Sequence, residues 1–576
     1  MEHQKLENMA STALMLPKEN GDEKVVILTP GNGVGKILIR EDTILANLQG
    51  CAGCGKAQFT CGGGSKRWSA LCWGRQSDRK YYCLLTLLSA TFVLSLIGTI
   101  FFCFTNTIND AILSNMVIRN NSLAFSIWQR PNVNPLMKVH IFNYTNWERV
   151  RSGQDEKLKV EDVGPYVYSQ QLERVNIKFW KDQLSFQERN HFKFLPDKSA
   201  GAHFDKIIVP NLPLLGVVSK AIDMNVNSLS QSALNYALTF AVNHPNAFIE
   251  LPVARFLWGY DDTIIDTAKP FLSLQGKLNF DKFGLLVTKN GTVSDRLTIN
   301  TGENDKDRMN MIQRLNGEDR LPYWGSQECN SIEASDGSIF PPLLLDRKTP
   351  LHVFYPNLCR RLPFKYDRDI EVADGIQLLR YRMPQNVFDD PAHNPANQCY
   401  CEIDTGVCPP RGVINVTACA MGAPALVSFP HFNQADPELR EQVLGMHPDP
   451  EKHDNYLDVH PTLGIALSGK SSLQFNIQVR KTPMFSSLNF LPHGLILPIA
   501  WVEMSVEELP ESLRSLVYHG TYSTAAVQLG LIVTSVIALV VSGICLCLLL
   551  VRKRQKPCMT LKKVPVDTEL KAQQLS

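Results

Sequence analysis

Charge is missing from two long stretches: no lysine, arginine, aspartate or glutamate occurs in Tyr81–Phe104 or in Gly520–Val551. Roughly 20 apolar residues at about 1.5 Å each cross the hydrocarbon of a bilayer. Both stretches exceed that length, so each is predicted to span a membrane. An excess of either sign is lacking as well, with 58 basic against 56 acidic residues, which argues against nucleic acid as a partner. The catalytic signatures GxSxG and HExxH do not occur. Neither end of the chain carries an Asn-x-Ser/Thr sequon. No small-residue cleavage site follows the first apolar stretch, which therefore reads as a retained signal anchor.

What is present gives an orientation. Lys66, Arg67, Arg75, Arg79 and Lys80 precede the first span, and Arg552, Lys553, Arg554 and Lys556 follow the second. Basic flanks resist translocation, so both termini are expected in the cytoplasm. The sequons at Asn120, Asn143, Asn290 and Asn415 all lie between the spans, where a lumenal domain would be glycosylated. The expected layout is a cytoplasmic head (1–80), a span (81–104), an extracellular or lumenal domain (105–522), a second span (523–551) and a cytoplasmic tail (552–576).

The 15 cysteines divide by compartment. Six of them (Cys329, Cys359, Cys399, Cys401, Cys408 and Cys419) fall in the oxidising domain, and an even count there implies three disulfides among about 15 possible connectivities. The other nine lie in the membrane, near it or in the cytoplasm. Cys51 and Cys54 have CxxC spacing, but Cys61 and Cys72 are spaced wrongly for a zinc ribbon and no histidine accompanies them. Cys72, Cys545, Cys547 and Cys558, close to the spans, are candidates for palmitoylation. Gly31–Lys36 lacks the spacing of a phosphate loop, and the head reads as mostly disordered. Glu23 stands four residues before Ile27-Leu28, the arrangement of an acidic dileucine sorting signal.

Strand periodicity dominates the domain. Leu473, Phe475, Ile477 and Val479 alternate with Gln474, Asn476, Gln478 and Arg480, which predicts one apolar and one wet face. Val175, Ile177 and Phe179 alternate with Asn176 and Lys178 in the same way. Frequent Gly and Pro suit a large antiparallel sheet or barrel. Helical spacing appears in Pro210–Phe248, where Leu214, Val217, Val218, Ala221 and Ile222 form one stripe and Leu234, Ala237, Leu238 and Ala241 another. No catalytic constellation, metal site or cofactor is expected. His447, His453 and His460 read as solvated loop histidines, and Asp261-Asp262 and Asp389-Asp390 as turn and cap residues.

Several segments in order carry a family pattern: HIFNYTNWERVRSGQDEKLKVEDVGPYVY, FLWGYDD, NTGENDKDRMNMIQRLNGEDRLPYWGSQECNSIEASDGSIFPP, LCRRLPFKYDRDI, the cysteine string from Cys399 to Cys419, GAPALVSFPHF and DPEKHDNYLDVHPTLGIAL. From about Phe104 to Leu550 the chain resembles the class B scavenger receptors, which include fatty-acid translocase, croquemort, the sensory neuron membrane proteins and lysosomal integral membrane protein type 2. The first 80 residues fall outside the resemblance. It implies an α+β membrane protein: two transmembrane helices enclosing a lumenal antiparallel β-barrel, with an apical three-helix bundle and an apolar tunnel. It further implies the pairings Cys329–Cys399, Cys359–Cys419 and Cys401–Cys408.

The function so implied is that of a plasma-membrane receptor, not an enzyme, that captures fatty acids, sterols, carotenoids or lipoproteins and passes them to the membrane. The alternative is an endosomal or lysosomal receptor that traffics a lumenal protein; a homo-oligomer is a further partner. The apical ligand-binding residues would be Leu214, Val218, Lys220, Leu238 and His244. Lys220 and His244 are the only basic residues in 211–247, against Asp223, so a polyanion-binding apex of the kind some relatives carry is not expected.

Overall fold

The computed structural model describes residues 68–554 apart from 106, 226, 243–244, 273–281, 373–374, 402–405, 421 and 507–508, with side chains from residue 79. Glu23, Ile27, Leu28, Cys51, Cys54, Cys61, His244 and Cys558 lie outside the described residues, as does the side chain of Cys72. Two units result: residues up to 103 with those from 532 onward, and residues 104–531.

Five helices matter to function: α1 (Trp68–Phe104), α2 (Leu212–Asp223), α3 (Ser228–Val242), α4 (Thr263–Leu272) and α5 (Thr524–Arg554). Two helical segments, Arg79–Phe104 and Glu511–Arg554, are long and apolar enough to cross a bilayer. Within the first unit α1 packs on α5 through small residues. Gly98 faces Ser535, Gly543 faces Phe92, and the Thr99 hydroxyl donates to Ser535 Oγ at 3.3 Å. Lys553 Nζ lies over the rings of Tyr81 and Tyr82, 4.6 and 4.8 Å from their centroids.

Among its described residues the second unit has sixteen strands. The first eight are β1 (Leu136–Tyr144), β2 (Leu158–Trp180), β3 (Gln183–Phe194), β4 (Lys206–Pro210), β5 (Phe248–Pro252), β6 (Gly291–Asn300), β7 (Ile312–Leu315) and β8 (Leu351–Tyr355). Then come β9 (Arg360–Val372), β10 (Ile376–Arg382), β11 (Val413–Asn415), β12 (Ala425–Ser428), β13 (Val443–Leu444), β14 (Tyr456–Val459), β15 (Ala466–Gln478) and β16 (Ile496–Val506). Fourteen of them form one sheet with the path β7-β6-β3-β2-β1-β16-β15-β14-β10-β9-β8. Neighbours on that path are antiparallel, β12 adds to β15, and β13 pairs in parallel with β2. The two ends of the path meet at Ser335, which bridges Met311 beside β7 on one side and Val353 of β8 on the other. Its amide donates to His352 O at 3.1 Å and its carbonyl accepts from Phe354 N at 2.9 Å. The sheet is thereby a nearly closed barrel.

The alternation in β15 is real, but its polar face is not wet. Ser472, Gln474 and Asn476 are fully buried, because residues 429–455 run across that face of the sheet. Gln474 accepts from His431 N at 2.6 Å, and Asn455 exchanges hydrogen bonds with the Ser472 backbone at 2.6 and 3.2 Å. A period of two shows which face is apolar; it does not show whether the other face is covered.

Candidate functional site at the helical cap and barrel interior

The cap begins at Asn211, whose side chain accepts from Leu214 N and starts α2. Asp262 does the same for α4 by accepting from Ile265 N at 3.1 Å. Both α2 and α3 pack against α4, so the cap is a three-helix bundle. Leu214, Val218 and Leu238 are fully buried and belong to the same hydrophobic core as Val139 and Ile141 of β1 and Leu497 and Trp501 of β16. The ribbon of β4 and β5 carries the cap on the barrel, and Ile208 N donates to Asn143 Oδ1 at 2.8 Å to hold it on β1. Phe192, Phe475, Met484 and Met504 line this core while keeping accessible surface. One apolar interior thus runs from the cap helices into the barrel.

The outer face of α3 is also apolar. Leu229, Tyr236 and Phe240 are 81%, 74% and 85% exposed and share one side of the helix at helical spacing. Lys220 is half-buried beside Gly422. Asp223 is paired with Arg480, which also donates to Ser219 Oγ at 3.1 Å, so the one acid of α2 is neutralised. A second apolar feature is a flank recess of about 530 Å3, lined by Phe194, Pro196, His203 and Phe204 among others and by no acidic residue, lysine or arginine. Burial lowers the His203 pKa, which keeps that rim uncharged.

A polar centre lies under the segment that crosses β15. Asp162 of β2 accepts from His140 Nδ1 at 3.1 Å, from His431 Nε2 at 2.9 Å and from Trp501 Nε1 at 3.1 Å. Burial alone would raise this carboxyl, but the hydrogen bonds from His140 and His431 hold it far below the usual carboxylate range. Register places it there. Between Val139 and Ile141 the pairing of β1 with β2 shifts, and a side chain at Gly164 would come within 2.7 Å of Val139 O and 3.1 Å of His140 Cα. Glycine at 164, with φ of 136°, lets the strands approach and turns Asp162 towards His140.

Two further interior clusters are anchored by arginine. Arg174 pairs with Asp336 at 2.8 Å and stacks on Trp128, 4.6 Å from its centroid. Burial works to raise Asp336, yet Arg174, Ser338 and Asn310 together hold it below its ordinary value. Arg360 lies against the faces of both Trp324 and Tyr400, at 4.7 and 3.9 Å from their centroids, beside that edge-to-face ring pair, and donates to Asn415 O at 2.8 Å. Burial pushes its pKa down to about 10. Beside it, Cys359 is joined to Cys419; Cys329 is joined to Cys399 and Cys401 to Cys408.

Sequence reading did not find Asp162, His140, His431 or Trp501, whose contacts span up to 339 positions. It also placed His453 and His460 in solvent, whereas both are 2% exposed; His447 is exposed. No group of three His, Cys, Asp or Glu side chains that could hold a metal occurs among the described residues. Asn120 and Asn290 are exposed, while Asn143 and Asn415 are half-buried with their amide oxygens accepting from Ile208 N and Thr417 N. Cys545 and Cys547 lie in α5.

Over 399 residues the chain is 32% identical to scavenger receptor class B member 1 of Cricetulus griseus, which covers 69% of this chain and 75% of the relative. The Bos taurus protein of that name is 32% identical over 411 residues, 71% of this chain and 77% of the relative. Lysosome membrane protein 2 of Mus musculus is 30% identical over 443 residues, 75% of this chain and 87% of the relative. Residues 87–551 match the CD36 family. With its two apolar helices, its nearly closed antiparallel barrel and these relatives, the chain belongs to the CD36 family, the class B scavenger receptors.

Proposed function

We propose that the protein is a membrane-anchored receptor that captures hydrophobic ligands at its helical cap and passes them through the barrel interior to the membrane. The observation that carries this reading is the single apolar core from α2 and α3 into the barrel, next to the exposed side chains of Leu229, Tyr236 and Phe240. Each methylene moved from water into such an interior contributes about 0.8 kcal/mol, so a lipid can follow it without returning to solvent. The family's receptors and the scarcity of basic residues on the cap favour neutral or weakly anionic lipid over polyanionic particles.

The test is to plug the interior. In a chain whose membrane cysteines are replaced by alanine, Met504→Cys is labelled with a bulky maleimide, and lipid uptake by expressing cells is compared with surface binding. Binding is expected to persist while uptake falls at least tenfold; unchanged uptake by a fully labelled chain would remove the conduit.

A second reading is a lysosomal receptor for a lumenal protein, favoured by the 87% coverage of lysosome membrane protein 2. An apolar stripe on α3 suits a protein partner as well as a lipid. Localisation of a tagged chain, with and without Glu23, Ile27 and Leu28 replaced by alanine, distinguishes the two.

Both readings take the termini as cytoplasmic and the domain as lumenal, and neither requires catalysis. Glycans are expected at Asn120 and Asn290 at high occupancy. Asn143, inside β1 and engaged with Ile208, is expected at under half of that. Site mapping by mass spectrometry after enzymatic deglycosylation in heavy-oxygen water measures the ratio, and equal occupancy would contradict it.

A further inference from the structure

Three histidines in residues 429–464 are engaged in the same unusual way. His431 Nδ1 accepts from His447 N at 3.2 Å, and His453 Nδ1 accepts from Asp449 N at 3.2 Å. His460 Nδ1 accepts from Thr462 N and Leu463 N, both at 3.2 Å. For His453 and His460 the imidazole lone pair closes a local turn of the backbone, as an Asx side chain does elsewhere, while for His431 it ties residue 431 to residue 447, sixteen positions on. All three rings are buried, at 3%, 2% and 2% exposure. An acceptor nitrogen carries no proton, so each ring is the Nε2–H tautomer. For His431 that proton goes to Asp162 Oδ2. For His453, Nε2 has no partner.

We propose that His453 makes the 429–455 segment an acid-operated strap, with His460 a matching latch on the adjoining β14–β15 turn: closed over the polar face of β15, β16, β1 and β2 when these two imidazoles are neutral, and released when they are protonated. A proton can enter each ring only at Nδ1, where it meets the N–H of the turn that the ring closes. Two donors then face one another, and the turn must open for the charge to be solvated.

The surroundings add to this. His431 and His453 stack with centroids 5.1 Å apart, so a charge on one opposes a charge on the other. Lys452, exposed and 5.6 Å from the Trp501 ring, adds a further positive charge, while Asp449 and Asp162 oppose it. His140 approaches from β1 and stacks on Trp501 at 3.9 Å. One step along the same face, Lys138 and Lys470 both pair with Glu503, a trio that keeps one net positive charge and so adds to the cost of protonating the rings. Around His460 burial is the dominant influence.

The direction with pH follows. Burial first, then His431 and Lys452, push His453 down to about 4; burial pushes His460 down to about 4. In an opened turn each ring returns to roughly 6.5. Between those values the open form holds more protons than the closed form, so opening is favoured as pH falls from about 6.5 towards 4. From pH 7.4 to pH 5 the opening constant is expected to rise about 30-fold for each of His453 and His460.

Hydrogen exchange of the full chain in lipid nanodiscs, corrected for intrinsic rates, tests this. Amides 449, 462 and 463 are expected to lose about 30-fold protection at pH 5, while β1 and β2 keep theirs. The logarithm of the opening constant should rise with a slope that approaches about one per pH unit per histidine near roughly pH 5–5.5 and fades above about pH 7. His453→Asn and His460→Asn place an amide oxygen near the Nδ1 position and cannot be protonated, so they should keep the strap closed at pH 5. A pH-independent opening constant in the unmodified chain, or the same acid response in the asparagine variants, overturns the proposal.

Discussion

Asp162→Ala is expected to destabilise the barrel domain by about 3–5 kcal/mol and to hold most of the chain in the endoplasmic reticulum. The carboxylate accepts from three buried donors, His140 Nδ1, His431 Nε2 and Trp501 Nε1. Alanine leaves all three without an acceptor, and each buried orphan costs about 1–3 kcal/mol. Against a typical stability of about 5–15 kcal/mol, that is enough to unfold a substantial fraction. Asp162→Asn keeps one oxygen and should cost about half as much. Denaturant midpoints of the detergent-purified chain, together with the fraction bearing mature glycans, measure both. A loss under about 1 kcal/mol for the alanine variant would mean that solvent reaches these donors, and the strap does not seal them.

The second large effect is expected at Cys359→Ser. The bond to Cys419 closes 60 residues and restricts the unfolded chain by roughly 4 kcal/mol in the chain-entropy account. The site amplifies the loss, because the Cys359 carbonyl accepts from Trp324 Nε1 at 2.7 Å and Trp324 is one of the two rings against which Arg360 packs. Cys401→Ser with Cys408→Ser is the comparison: that bond closes only 7 residues and should cost about 2 kcal/mol less. Surface biotinylation is expected to fall several-fold for Cys359→Ser and less for the double variant. Equal surface levels for Cys359→Ser and the unmodified chain would show this bond to be dispensable.

The parts of the fold that are legible in sequence are those with local causes. The spans follow from uncharged length, and the stripes at Leu214–Ala221 and Leu234–Ala241 follow from helical spacing; both pairs occur as helices. Alternation in β15 identifies its apolar face. What could not be read is what covers a face. Gln474 and Asn476 look wet because nothing nearby in sequence predicts residues 429–455 lying over them. His453 and His460 sit among Pro and Asp, which suggests a solvated loop, yet they are buried because they substitute for turn-closing residues. Asp162 carries no local signal at all: its partners lie 22, 269 and 339 positions away. The nearest hint was GPYVY itself, whose glycine marks a close approach of strands without naming the group brought close.

The seam at Ser335 bears on how this chain avoids sticking to its neighbours during synthesis. An open sheet offers its outermost strands as templates on which other chains can add, and long sheets are the worst offenders. Here β7 and β8 are those strands: Ser335, followed directly by the Asp336 that Arg174 holds, bonds His352 and Phe354 of β8, and Ala334 beside it accepts from Ile312 N of β7. Loss of the Arg174–Asp336 pair would therefore act beyond the stability of a single molecule. It would unmask two adhesive borders at once, and the consequence would grow with the concentration of nascent chains, as cross-linked aggregates in the secretory pathway and not as a loss of affinity at the surface.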